Sequence, residues 1–288
     1  MPELPEVESA RAAISAAALH RRIVDVDDTD RYECRPHPPG EIRDALVGRQ
    51  LTSANRRGKS MWCETSGVGR SHTPGPNLGI HLGMSGRIFI TNPDGTVVEG
   101  GDPIRTGPNG PKPEWDRFTL FFADGGSLRL YDTRRLGRVR LNPPIDELGP
   151  DALEVTKAQF RQLMRVGTAP VKARLLDQAA IAGVGNLLAD EALWQARISP
   201  LTRVPMLQPA EVDRLHTCLR RTITSAVAKG GAHTGRMIAS RHPGGRCPRC
   251  HAEMMHGTVG GRSTWWCPAE QVPAGPREGS RPESATVG

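Results

Sequence analysis

The chain of 288 residues carries no apolar run long enough to span a bilayer, no secretory leader and no internal repeat. These absences point away from a helical membrane protein, an exported protein and a solenoid, and toward a cytoplasmic one. Lysine is scarce: Lys59, Lys112, Lys157, Lys172 and Lys229 stand against 33 arginines. Arginine stays protonated and suits bidentate phosphate and base contacts. Arginine does not easily shuttle a proton, so each of the five lysines is a candidate for that work. Cysteine is scarce as well. Cys34, Cys63 and Cys218 are isolated, too few for a disulfide scaffold, and are expected to be reduced structural residues. The other three cluster toward the C-terminal end.

The formal charge of +7 points to a polyanionic partner. The most distinctive stretch is the start, Pro2-Glu3-Leu4-Pro5-Glu6-Val7-Glu8. Once Met1 is removed, the chain ends in a secondary amine. An α-amine titrates near pH ~8, so part of it is a neutral nucleophile in the cell. A secondary amine attacking an aldehyde sugar gives only a charged iminium, an electron sink that eases elimination of C–O bonds beyond the carbonyl. The same residues suit an ordinary helix start. Val7, Ala10, Ile14 and Ala17 recur at helical spacing, with Glu6 and Glu8 in the first turn where the dipole favours carboxylates.

Runs of strand character follow at 23–26, 60–64, 78–90, 118–122, 128–131 and 138–141, with a hairpin turn at 123–126. Gly- and Pro-rich loops occupy 65–77 and 92–115. Beyond Pro143-Pro144 the pattern turns helical, at 157–166, 170–179, 186–196 and 209–228. Between the middle two helices, Gly183-x-Gly185-Asn186 allows a tight turn in which Asn186 caps the next helix, leaving N–H groups able to hold a phosphate. Cys247-x2-Cys250, sixteen residues and then Cys267 form three-quarters of a zinc ribbon. The expected class is α+β with several domains: a β-sandwich flanked by helices over 1–145, a helical domain over 146–240, a cysteine-bearing β-hairpin over 241–271 and a disordered tail over 272–288.

Five segments in order resemble the Fpg/Nei family of DNA glycosylases, in its formamidopyrimidine-DNA glycosylase branch. They are the N-terminal string, Arg56-Arg57-Gly58-Lys59, His81-Leu82-Gly83-Met84-Ser85-Gly86, Asp132-Thr133-Arg134-Arg135-Leu136-Gly137, and a C-terminal part in which Leu176-Asp177-Gln178 and Asp190-Glu191-Ala192-Leu193 flank the glycine turn and Gly261–Pro268 forms a finger tip. The likeness runs from residue 2 to about residue 271. It implies that the helical domain is a helix–two-turns–helix domain and the hairpin a zinc-ribbon-like finger.

The resemblance implies a bifunctional DNA glycosylase/AP lyase that acts, as a monomer associated with the nucleoid, on duplex DNA carrying oxidised bases or abasic sites. Pro2 would attack C1′, Glu3 would serve as general acid/base and Lys59 would assist. Arg262 would reach the target-strand phosphates and aid the second elimination. Met84 would fill the gap left by the flipped nucleotide, a role that suits a flexible thioether. Arg134 would bond the orphaned base, with Leu136 stacking beside it, and Lys172 and Asn186 would meet phosphates. Cys247, Cys250, Cys267 and Glu270 would form the zinc set.

Four departures from the family pattern stand out. Leu136 replaces an aromatic residue. Trp115 stands where the family places a DNA-contacting histidine. Only about fifteen residues follow Gly230-Gly231 before Cys247, too few for the long loop that caps a flipped 8-oxopurine. Finally, Glu270 stands at the position of a fourth cysteine. Four readings of the metal site are open: Glu270 ligates, His251 or His256 substitutes, a water completes the shell, or no zinc binds. Two other functions are open as well, a Nei-like preference for oxidised pyrimidines or abasic sites and a damaged-DNA-binding protein with little chemistry.

Overall fold

The computed structural model describes residues 2–69, 73–103 and 111–273. Its elements run α1 (Leu4–Ala17), β1 (Ile23–Asp27), α2 (Glu41–Leu46), β2 (Leu51–Arg57), β3 (Ser60–Thr65), β4 (Leu78–His81), β5 (Arg87–Thr91), β6 (Val97–Gly101), β7 (Asp116–Phe122), β8 (Ser127–Tyr131) and β9 (Arg138–Leu141). The helical part holds α3 (Lys157–Leu163), α4 (Val171–Leu176), α5 (Asn186–Ala196) and α6 (Pro209–Lys229), and the chain closes with β10 (Met255–Val259) and β11 (Arg262–Trp266). The tail expected beyond 271 lies outside the described residues from 274 onward. No described helix is long and apolar enough to cross a membrane.

Two antiparallel sheets form the sandwich, ordered β1-β7-β8-β5-β6 and β2-β3-β4-β9. Alternating apolar side chains from both faces make its core, among them Ile23, Met61, Ile80, Ile88, Phe118, Leu130 and Val139. The apolar run expected over 78–90 is two strands, because the turn at Leu82–Gly86, closed by Gly86 N donating to Leu82 O at 2.7 Å, sends β4 into one sheet and β5 into the other. Strand β2 gave no apolar signal. Of its seven residues only Leu51 is buried, and its polar end is held by pairing with β3.

Helix α1 serves two cores. Val7, Ala10 and Ile14 pack into the sandwich, while Leu4, wholly buried, packs among Leu175, Leu188 and Leu193 of the helical domain. Burying a leucine contributes roughly 1.5–3 kcal/mol, so the first turn of the chain is itself part of the joint between domains. Asp151 adds a polar joint. Its carboxylate accepts from Gly58 N at 2.7 Å and Leu153 N at 2.9 Å, and pairs with Arg56, which also reaches Glu8 at 2.9 Å. A third, small core of Trp194, Met237, Cys247, Met254 and Cys267 lies under the β10–β11 hairpin.

Candidate active site

The N-terminus is held from the far side of the molecule. Glu3 sits just before α1 and aims its carboxylate into the first turn of α5. Oε1 accepts from Leu187 N at 2.8 Å, and Oε2 accepts from Gly185 N at 3.0 Å and Leu188 N at 3.1 Å. These are the unpaired amides of a helix start, where a negative charge also meets the positive end of the dipole. Glu6 completes the clamp, with Oε2 accepting from Glu3 N at 2.8 Å and Oε1 from Ala232 N at 2.6 Å. The two glycines of the α4–α5 turn let these parts meet. Gly183 has φ +109°, and a Cβ there would overlap Leu4 Cδ1; a Cβ on Gly185 would fall on the Glu3 carboxylate.

Pro2 lies buried at this joint. Lys59, in the turn between β2 and β3, points to the same place. Burial lowers its pKa, the Glu3 carboxylate opposes that shift, and the Arg262 guanidinium adds to it. Burial raises the Glu3 pKa despite the Lys59 charge and the helix amides. Four elements, the N-terminus, the β2–β3 turn, the start of α5 and the finger tip, thus bring Pro2, Glu3, Lys59 and Arg262 together. An amine next to a carboxyl whose pKa burial raises, with a lysine whose pKa burial lowers, is a set able to form and break an iminium.

A second cluster lies on the exposed edge of the sandwich. Met84, Arg134 and Leu136 are all exposed, on two loops that pack backbone to backbone. Buried Asp132 organises both loops. Oδ1 accepts from Arg134 N at 2.9 Å and from the Ser85 hydroxyl, while Oδ2 accepts from Leu136 N and Gly137 N, each at 2.9 Å. Glu33, fully buried, shares the Gly137 N–H at 3.1 Å. Burial, the adjacent Asp132 and Asp30 push the Glu33 pKa up to about 8. Trp115 stands edge-on to Tyr131 at 5.8 Å, and its carbonyl accepts from Asp132 N at 2.9 Å. Beside this edge a cleft of about 500 Å³ is lined by His81, Leu136, Arg138, Arg140 and Gln178.

Three expectations are corrected. Lys172 is no surface contact: it is wholly buried, 2.6 Å from Asp190 Oδ1, and donates to Thr264 Oγ1 at 2.7 Å. Asn186 is the first residue of α5, after the cap at Gly185, and the amides it was expected to leave free hold Glu3 instead. Its side chain donates to Ser263 O at 2.9 Å, as do Lys172 Nζ at 3.2 Å and Arg241 Nη2 at 3.4 Å. One carbonyl of the finger tip is thus gripped from three elements, next to Arg262. Glu270 is not with the cysteines, because Arg249 Nε holds its carboxylate at 2.5 Å.

The cysteine cluster itself is well formed. The three sulfurs lie within 4.8 Å of one another, with Cys250 and Cys267 Sγ 3.4 Å apart. Tetrahedral zinc with bonds of about 2.3 Å needs sulfurs about 3.8 Å apart, so the donors fit that metal. His256 bonds Ser263 Oγ at 3.0 Å and stacks on Trp265, and among the described residues no histidine or carboxylate joins the three thiols. The short segment after Gly231 is pinned to α5. Met237 N donates to Glu191 Oε2 at 2.8 Å, and Arg241 pairs with Asp190 at 3.0 Å.

The residues that sequence reasoning missed are acidic and buried: Asp132, Glu33, Asp151 and Asp190. Asp132 and Asp190 each open a motif that was recognised, and that was the available signal. Their partners are distant in sequence, so the role was not visible.

Residues 1–139 match the family model described as formamidopyrimidine-DNA glycosylase N-terminal domain, and 148–237 match the formamidopyrimidine-DNA glycosylase H2TH domain. Among curated relatives, the formamidopyrimidine-DNA glycosylase of Chloroflexus aurantiacus is 30% identical over 94% of this chain and 98% of its own. That of Corynebacterium aurimucosum is 32% identical over 94% and 96%. The Lactococcus lactis Fpg in complex with abasic-site DNA superposes with a TM-score of 0.75 at 26% identity, covering 94% of this chain and 99% of that one. MutM in complex with DNA containing carbocyclic 8-oxo-G also gives 0.75 at 26%.

The shared Gly137 amide yields a pH prediction. A carboxyl raised to about 8 in the native state and near 4.5 unfolded favours the fold at low pH. That contribution is lost as pH rises from the lower value through the upper, by as much as roughly 4–5 kcal/mol. Glu33→Gln mimics the protonated form. Urea unfolding between pH 5 and 9 is expected to show the parent weakening and the variant holding level across this window. Parallel loss in both would contradict the Glu33 assignment.

Proposed function

We infer that Pro2 is the nucleophile of this chain, which belongs to the formamidopyrimidine-DNA glycosylase family. The protein is a base-excision-repair DNA glycosylase with AP lyase activity, acting on damaged duplex DNA. We propose that it works on the nucleoid in the cytoplasm, as a monomer. The observation that carries the mechanism is the convergence of Pro2, Glu3, Lys59 and Arg262 at the joint of the domains.

With Met1 removed, the Pro2 nitrogen bonds to C1′ and the damaged base leaves with the glycosidic electron pair. Opening of the sugar ring gives the iminium, and O4′ takes a proton from Glu3. Oε1 of Glu3 accepts one amide and keeps a second lone-pair direction for this contact. The iminium acidifies C2′, and proton loss there expels the 3′ phosphate. A second elimination expels the 5′ phosphate, and water then frees Pro2, leaving a one-nucleotide gap with phosphate ends. Lys59, shifted toward neutrality by burial, is suited to moving these protons. Arg262 holds the phosphate of the target strand.

A base cannot react while stacked, so the nucleotide must leave the helix. Met84 and Leu136 enter the gap, and Arg134 meets the orphaned base. Asp132 fixes all three by holding their loops from below. The arginine-lined cleft beside them carries the duplex. We propose that Cys247, Cys250 and Cys267 bind zinc, a structural cross-link that steadies the hairpin carrying Arg262. Lys172, Asp190 and Asn186 position the same hairpin rather than touch DNA.

Two experiments test this reading. Borohydride reduction on an abasic-site duplex is expected to trap a covalent adduct with the parent. Pro2→Gly is expected to lose excision of a damaged base by about 100-fold or more while keeping damaged-duplex affinity. Absence of an adduct despite tight binding would favour a silent binder. In the second experiment, Lys172→Met is expected to leave the salt dependence of duplex binding unchanged. If the log–log slope became shallower by about 0.9, Lys172 would be a phosphate contact after all.

A further inference from the structure

We propose that the finger metal of this protein keeps an exchangeable fourth coordination position, and that a low-molecular-weight thiol occupies it. This rests on the reading that the cysteine cluster binds metal, and goes beyond it. Three thiols converge, and Glu270, the acidic residue at the place of a fourth ligand, is held away from them; among the described residues no other donor joins them. Glu270 is fastened by Arg249, whose Nε lies 2.5 Å from Oε2. Arg249 is not free to let go. Its guanidinium lies over the Trp194 ring, 3.9 Å from the centroid, and Nη2 donates to Trp194 O at 2.5 Å. Trp194 in turn donates through Nε1 to Cys247 Sγ at 3.4 Å, so one buried aromatic ring supports both the first thiol and the arginine that restrains the carboxylate.

Access to the position is open. Cys250 is exposed, whereas Cys247 and Cys267 are buried. A zinc site with three protein ligands and one open side takes water or an added ligand in the fourth place. Three soft sulfurs favour a further soft donor, which selects a thiolate over a carboxylate. Outside the cluster a second copy offers no accessible thiol, because Cys34, Cys63 and Cys218 are buried. Arg246, exposed beside the knuckle, offsets part of the negative charge that a fourth thiolate brings.

The test uses full-length protein loaded with Co²⁺, whose spectrum reports the donor set, and 2-mercaptoethanol as the added ligand. In the parent, the thiol is expected to shift the visible bands saturably and to raise the sulfur charge-transfer band by about one third, as three sulfur donors become four. Glu270→Cys is expected to show the four-sulfur spectrum without added thiol and no further response. Arg249→Met frees the carboxylate to ligate, and is expected to weaken the thiol response at least 10-fold. A parent that retains cobalt through gel filtration yet ignores the thiol would overturn the proposal while leaving the metal reading intact. A parent that retains no cobalt, where Glu270→Cys does, would overturn both. Should Arg249→Met fail to fold, the contrast between parent and Glu270→Cys still decides.

Discussion

The structure depends on a carboxylate at one end of the chain closing the start of a helix far along it. Glu3 accepts three amides from the first turn of α5, some 182 to 185 residues away. That contact does three things together. It satisfies helix amides that would otherwise be buried without partners, it joins the sandwich to the helical domain, and it fixes the residue that follows Pro2, the proposed nucleophile. Glu6 repeats the device one helical turn later, by holding Glu3 N and Ala232 N. The proposed chemistry and the architecture share the same atoms here, and Pro2, near a chain end where order is usually lowest, gains a rigid seat.

The same economy recurs at the other working parts. Asp132 anchors the loops of Met84 and of Arg134 to Leu136, so the exposed side chains rest on a buried carboxylate. Asp190 collects Lys172, Arg241 and the amide of Trp265, and through them steadies the strand that begins at Arg262. Asp151 ties the Lys59 turn to the linker between domains through Gly58 N. Each element that would face DNA is therefore backed by one buried acid whose bonds run mainly to main-chain amides and basic side chains. Such networks hold geometry well when every partner is present and cost several kcal/mol when one is removed.

Much of this was legible in the sequence because it is local. The N-terminal string, the Met84 turn, the Arg134 loop and the cysteine spacing each carry their chemistry in a few adjacent residues, and the helices at 186–196 and 209–229 follow from apolar periodicity. What was not legible depends on partners brought together by the fold. Lys172 was found in the right motif, yet nothing near it in sequence shows that Asp190 neutralises it and β11 covers it. The turn at Gly183 and Gly185 was recognised as tight. That its amides serve Glu3, and not a phosphate, requires knowing where the N-terminus lies. Strand β2 went unseen because pairing, not burial, makes it a strand.

The most direct test of the account is amide hydrogen exchange at the start of α5. In the parent protein Gly185, Leu187 and Leu188 are expected to exchange slowly, unlike the unpartnered first turn of an ordinary helix. In Glu3→Ala they are expected to exchange at least 10-fold faster, while amides in the middle of α5 change little. Rapid exchange of these three amides in the parent, or no change on removing the carboxylate, would contradict the claim that Glu3 closes this helix and holds Pro2 in place.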